Sequence, residues 1–138
     1  MLHPELLGII GHAAGRGMAV NLVTNGSRLT EESIRALKDN CVSSVIISIY
    51  ATTTARHEEN RRLPNVCEWI KKANALLKSL WTQSTASVTM SKLIEDYGAL
   101  PPFLKSLEFA SVTFSYPLTT LSSSFLGHAD SPLVSFDP

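Results

Sequence analysis

Val45-Ile46-Ile47-Ser48-Ile49-Tyr50 decides the fold. Apart from Ser48 the segment is β-branched or aromatic, with no polar alternation to mark a solvated face. It therefore reads as a parallel strand covered by helices on at least one side. Parallel neighbours cannot be joined by a tight turn, so helices are required before and after it. Upstream, Thr30 can cap a helix, Glu31 and Glu32 suit the positive end of its dipole, and Leu29 with Ile34 has the spacing of a hydrophobic staple. That helix runs to about Asp39, with Ile34 and Leu37 facing inward and Asn40 placed to end it. Downstream, a polar loop over residues 51–64 precedes a capping-box-like start at Asn65 and Glu68. The helix that follows carries a broad apolar stripe of Val66, Trp69, Ile70, Ala73, Leu76, Leu77 and Leu80.

The same alternation extends outward. Pro4 to Arg16 places Leu6, Leu7, Ile10, Ala13 and Ala14 at helical spacing, with Pro4 suited to the first turn and Gly15 or Gly17 to the exit. Met18 to Thr24 is a mostly apolar run closed by Asn25-Gly26, the pattern of a strand buried on both faces and ended by a turn. Thr85 to Met90 forms a third strand, a Pro-interrupted connection with a short helix leads to Leu107, and Ser111 to Tyr116 forms a fourth. Parallel pairing with right-handed crossovers follows from this order. The expected class is α/β, a partial (βα) barrel of four parallel strands with flanking helices. Residues 1–117 form this core, and residues 118–138 form a loop-rich tail with Leu133-Val134-Ser135-Phe136 as its one apolar cluster. Four strands cannot close a barrel, so a missing segment or a partner covering the exposed strand edge is expected.

Composition excludes several classes of function. At 138 residues and 44% hydrophobic the chain can bury one core, and 12 basic against 12 acidic residues leave no electrostatic footprint for nucleic acid. No apolar run approaches the roughly 20 residues that span a bilayer, and no basic region followed by an apolar stretch opens the chain. No membrane partner and a cytoplasmic address are expected. Cys41 and Cys67 are too few and too far apart for a disulfide framework or a metal clip, and both read as reduced and structural. No strand leads into GxGxxG or GxxxxGK[ST], which argues against a nucleotide-binding domain built on a glycine-rich phosphate cradle.

Leu2-His3-Pro4-Glu5-Leu6, then Val23-Thr24-Asn25-Gly26, then Ser48-Ile49-Tyr50 with His57 and Arg61-Arg62 beyond it, follow one another in an order that resembles the middle of the radical S-adenosylmethionine superfamily. In that family a GGEP motif leads into LLHPEL, the next strand ends in TNG, and the strand after it ends in Ser-x-Asp before a His-Asp-x-x-Arg segment. Phe114-Ser115-Tyr116-Pro117 looks like the last strand of the core in members that continue into a further domain. The resemblance covers about Leu2 to Tyr116 and implies a six-stranded partial barrel of which the four strands here are the third to sixth. It implies S-adenosylmethionine and a four-iron four-sulfur cluster as cofactors. The CxxxCxxC that would ligate the cluster and the GGE that would meet the methionyl amine are both absent from this sequence.

Carried over position by position, the resemblance gives Ser48 a contact to the ribose or carboxylate of S-adenosylmethionine, the alternative being a strand-end serine bonded to local backbone. Tyr50 stands where the family has Asp or Asn, and a phenol keeps one hydrogen bond of the two. Thr24 and Asn25 lie at the equivalent rim one strand earlier, toward the cofactor or as a plain turn. Met90, Lys92 and Tyr116 end the next two strands and by the resemblance would face the substrate cavity, the alternative being ordinary core and surface roles. His3, His12 and His128 read as surface residues, and His57 with Arg56, Arg61 and Arg62 as either an anion site or a solvated, salt-bridged loop. The expected function is that of a piece of a radical S-adenosylmethionine enzyme acting on a small-molecule or peptide substrate, inactive alone. The alternative is a non-catalytic barrel-derived scaffold or protein-binding module.

Overall fold

The computed structural model of the chain describes residues 4–80, 83–91 and 94–115. In chain order these form α1 (Leu6–Gly15), β1 (Val20–Thr24), α2 (Glu31–Asp39), β2 (Val42–Ile49), α3 (Thr54–Arg61), α4 (Val66–Leu80), β3 (Ser84–Thr89), a single 3-10 turn at Tyr97–Ala99, α5 (Leu100–Ser106) and β4 (Ser111–Ser115). The tail at 118–138 lies outside the described residues, and so does Tyr116, the expected end of the fourth strand.

All three strand pairs are parallel, and the sheet order β1-β2-β3-β4 is the chain order. Each connection must cross over, and crossovers of one hand between sequential neighbours place their helices on one face of the sheet. Burial follows that rule. Val45, Ile47 and Ile49 of β2 and Ala86 and Val88 of β3 are fully buried, and they share one core with Ile34 and Leu37 of α2, Val66, Ile70 and Leu77 of α4 and Leu100 of α5. Residues of the opposite parity are less covered: Ile46, Ser48, Thr85, Ser87 and Thr89 are half-buried, and Asn21 and Val23 are exposed. The described residues thus form an α/β sheet with one helix-packed face and a second, bare face that carries no helix among them. Among the described residues the sheet is open, with β1 and β4 as its edges.

Local chemistry sets the element ends. Thr30 caps α2 by accepting from Ser33 N at 3.2 Å, and Leu29 and Ile34 both join the core, so the staple forms. The strand β2 starts at Val42, earlier than its apolar run suggests, because polar side chains extend the pairing: Ser44 Oγ donates to Asn21 Oδ1 at 2.7 Å, and Ser43 Oγ accepts from Val20 N at 3.2 Å. One polar pair lies inside the core. Asn74 of α4 donates to Leu107 O at 2.7 Å and accepts from Ser84 Oγ at 2.5 Å, tying α4, β3 and the exit of α5 together.

Four expectations are corrected. The β1 strand is not buried on both faces, because it is an edge strand with a bare side on which Val23 is 64% exposed. The segment 51–64 is not a loop throughout but contains α3, whose only inward side chain is polar, so no apolar period announces it. Trp69 is 40% exposed rather than part of the core stripe of α4. Asn65 does not take the extended conformation of a capping residue, since its φ is 60°.

Candidate functional site

The ends of parallel strands in register gather at one edge. Thr24 pairs with Ile47, Ile49 with Val88 and Thr89 with Ser115, so all four strands finish on the same rim, where α/β folds place their sites. Ser48 points to the bare face, and the register sets it beside Ser87, which in turn lies beside Thr113. Three hydroxyls therefore run across neighbouring strands just below the rim. The hydroxyl of Ser48 makes no hydrogen bond among the described residues.

Thr24 and Asn25 are occupied locally. Thr24 Oγ1 accepts from Gly26 N at 3.2 Å, and Asn25 Oδ1 accepts from Ser27 N at 3.0 Å and from Ser27 Oγ at 2.7 Å. Both side chains shape the turn that ends β1. Met90 follows β3, half-buried, with its N donating to Ser115 O at 2.9 Å. Lys92 and Tyr116 lie outside the described residues, as do His3 and His128, whereas His12 is exposed as expected.

The most elaborate arrangement surrounds Tyr50. His57 of α3 is fully buried, and its Nδ1 accepts from Tyr50 N at 3.3 Å, while Asn60 Nδ2 donates to Tyr50 O at 3.1 Å. The Tyr50 and His57 rings stack with centroids 6.4 Å apart and planes 12° from parallel, and the Arg61 guanidinium carbon stands 4.8 Å from the Tyr50 centroid. Burial, reinforced by the Arg61 charge and opposed by Glu58, lowers the His57 pKa to about 4. The imidazole is therefore neutral at neutral pH, and an Nδ1 that accepts places the ring proton on Nε2. The reading of His57 as part of a solvated loop is overturned. What forms instead is a helix that clamps the exit of β2 at both backbone atoms of Tyr50. A buried, polar histidine on a polar helix leaves no mark in hydrophobic periodicity, so the sequence does not announce it. Ser87 and Thr113 escape sequence reasoning for another reason, since cross-strand register is not written within either strand.

Arg56 pairs with Glu59 and with Glu95, both at 3.2 Å, linking α3 to the segment after β3. All three side chains are well exposed, so these pairs contribute little stability. In that segment Tyr97 Oη accepts from Ser91 N at 2.9 Å and donates to Ser91 O at 3.2 Å.

The thiols do not make a metal site. Cys41 is exposed and precedes β2, whereas Cys67 is buried in the first turn of α4, which begins beyond the other end of that strand. Burial pushes the Cys67 thiol up, against a hydrogen bond from Thr54 that pulls it down. Among the described residues no group of three or more His, Cys, Asp or Glu could hold a metal ion. The residues of this chain do not fit a four-iron cluster, which needs three convergent thiolates where the sequence has two cysteines in all. No helix of the described residues is long and apolar enough to cross a membrane. Neither family models nor curated proteins match the sequence.

Proposed function

We propose that the chain supplies the later βα units of a radical S-adenosylmethionine barrel, its bare face being the barrel interior and its rim the cofactor side. The observation that carries this reading is the pairing of two features: four parallel strands in chain order with helices on one face, and the row Ser48, Ser87 and Thr113 on the other. A barrel interior differs from a helix-packed face in this way, with polar groups available to a bound molecule. Ser48, with its unengaged hydroxyl, is the residue placed to meet the ribose or carboxylate of S-adenosylmethionine. Tyr50 contributes by position, since its ring contacts both His57 and Arg61. Thr24 and Asn25 serve the turn and shape the rim from behind. Met90, Lys92 and Tyr116 fall on the substrate side of the same reading, which leaves open a small-molecule or peptide substrate. No step of cluster chemistry is assigned to this chain, because its cysteines do not fit a cluster. In this reading the iron ligands belong to another segment or polypeptide.

The test is a titration of the isotope-labelled chain with S-adenosylmethionine, followed by amide and methyl resonances. The expected result is a saturable change at Ser48, Ser87 and Ile46, weakened several-fold in Ser48→Ala. Saturable changes confined to the helix-packed side, or none at all, would overturn the reading.

A second reading, a barrel-derived scaffold that binds another protein, is favoured by the apolar side chains at the sheet edges. Val23 on β1 and Phe114 on β4 are 64% and 52% exposed. Edge strands that display apolar side chains recruit further strands. Binding of S-adenosylmethionine is absent in this reading, so the same titration separates the two.

A further inference from the structure

Every residue of α3 is polar except Ala55, yet the helix buries a histidine completely. Most of its polar groups are accounted for. Thr53 Oγ1 caps it by accepting from Arg56 N at 3.4 Å, and Asn60 and His57 Nδ1 hold the two backbone atoms of Tyr50. Two buried atoms are not: His57 Nε2 and Arg61 Nη2 have no hydrogen-bond partner among the described residues. Native interiors rarely leave such groups unanswered, because an unmade hydrogen bond there costs the full desolvation of the donor.

Both atoms are donors. The accepting role of Nδ1 puts the ring hydrogen on Nε2, and a guanidinium has no acceptor at all. His57 and Arg61 are four residues apart on one helix, hence on the same face, and both flank the Tyr50 ring. The charge of Glu58 also acts on His57, but it does not pair with Arg61. Arg56 is answered by Glu59 and Glu95, whereas Arg61 enters no ion pair among the described residues. A metal cation would be repelled by Arg61 and would find a hydrogen where it needs a lone pair. An anionic oxygen would answer both donors and the charge together. The pair also stands at the C-terminal end of β2, on the rim where sheets of this class take ligands.

We propose that His57 and Arg61 are the donor half of an oxyanion site at the C-terminal end of β2, taking an oxygen of a carboxylate or phosphate group. The inference rests on α3 and Tyr50 and does not depend on the radical S-adenosylmethionine reading.

The full chain, labelled with nitrogen-15, is titrated at constant ionic strength with inorganic phosphate in one arm and acetate in the other, following the imidazole nitrogens. The expected result is a saturable shift of the His57 Nε2 signal in at least one arm, with His12 unmoved. The arm that saturates at lower concentration names the ligand class. Arg61→Gln, at a half-exposed position, is expected to weaken that response at least about tenfold, the loss typical of one charge-assisted hydrogen bond. A His57 signal that fails to saturate with either anion overturns the proposal without any variant, and so does an unchanged response in folded Arg61→Gln. A slowly exchanging water resonance near Nε2 that persists through both titrations would assign these donors to buried water, and would also overturn it.

Discussion

Gly26 stands directly against Ile70: a Cβ built on Gly26 would lie 2.8 Å from Ile70 Cγ1 and 3.2 Å from Ile47 Cγ2. Its φ of +79° adds a second reason for glycine, since L side chains seldom adopt that conformation. The turn that ends β1 is thereby pressed onto α4 and β2. Gly26→Ala is expected to cost about 2–3 kcal/mol, combining strain at positive φ with overpacking. Denaturant unfolding would show it. Gly26→Ala with Ile70→Ala, measured against Ile70→Ala alone, tests the cause, because removing Cγ1 and Cδ1 of Ile70 takes away the nearest contact and leaves the φ penalty in place.

Asn74 is the centre of the buried polar pair. Replacing it by Leu leaves Leu107 O and Ser84 Oγ without their partner, at an expected cost of about 1–3 kcal/mol. Ser84→Ala alone strands Asn74 Oδ1. A double-mutant cycle between the two positions is expected to show non-additivity in equilibrium unfolding, whereas additive losses would mean that the two residues act separately.

The His57 pKa falls from the ordinary 6.5 to about 4 on folding, so the unfolded chain binds a proton that the native chain refuses between those values. Stability linked to His57 is complete above about pH 6.5, declines as pH falls toward 4, and changes no further below that. The full loss across the window is about 3 kcal/mol. Unfolding curves for the wild type and His57→Gln between pH 7.5 and 4 should converge as pH drops. Parallel curves would show that the imidazole is not held neutral.

The two thiols are expected to differ sharply toward a disulfide reagent. Cys41 is exposed, and Cys67 is buried with its thiol pushed up. In the native chain one thiol should react at once and the second only as fast as the protein opens. Equal rates would contradict the packing of α4 over Thr54.

Much of this architecture is legible in the sequence because burial and periodicity coincide. The helix α2 carries cap, staple and inward residues in a nine-residue span, and its ends fall where Thr30 and Asn40 place them. The run Val45–Ile49 marks β2, although its polar start at Val42 depends on Ser43 and Ser44 meeting β1, a contact between distant residues. Helix α3 escapes notice because it packs through a histidine. The hydroxyl row escapes for lack of register, since Ser48, Ser87 and Thr113 are far apart in the chain and meet only when the strands align. Ser48 itself is legible as a lone polar residue in an apolar strand.

Strand order has a consequence for assembly. Each strand of this sheet rests against the one synthesised just before it, so no strand must wait for a later one to fill a gap between neighbours. Contacts close over single βα units, which keeps the entropic cost of each addition low and lets the sheet grow in the direction of translation. At every stage of that growth the newest strand presents a bare edge. Among the described residues β4 still does so, and it stands as the point at which a further strand would add.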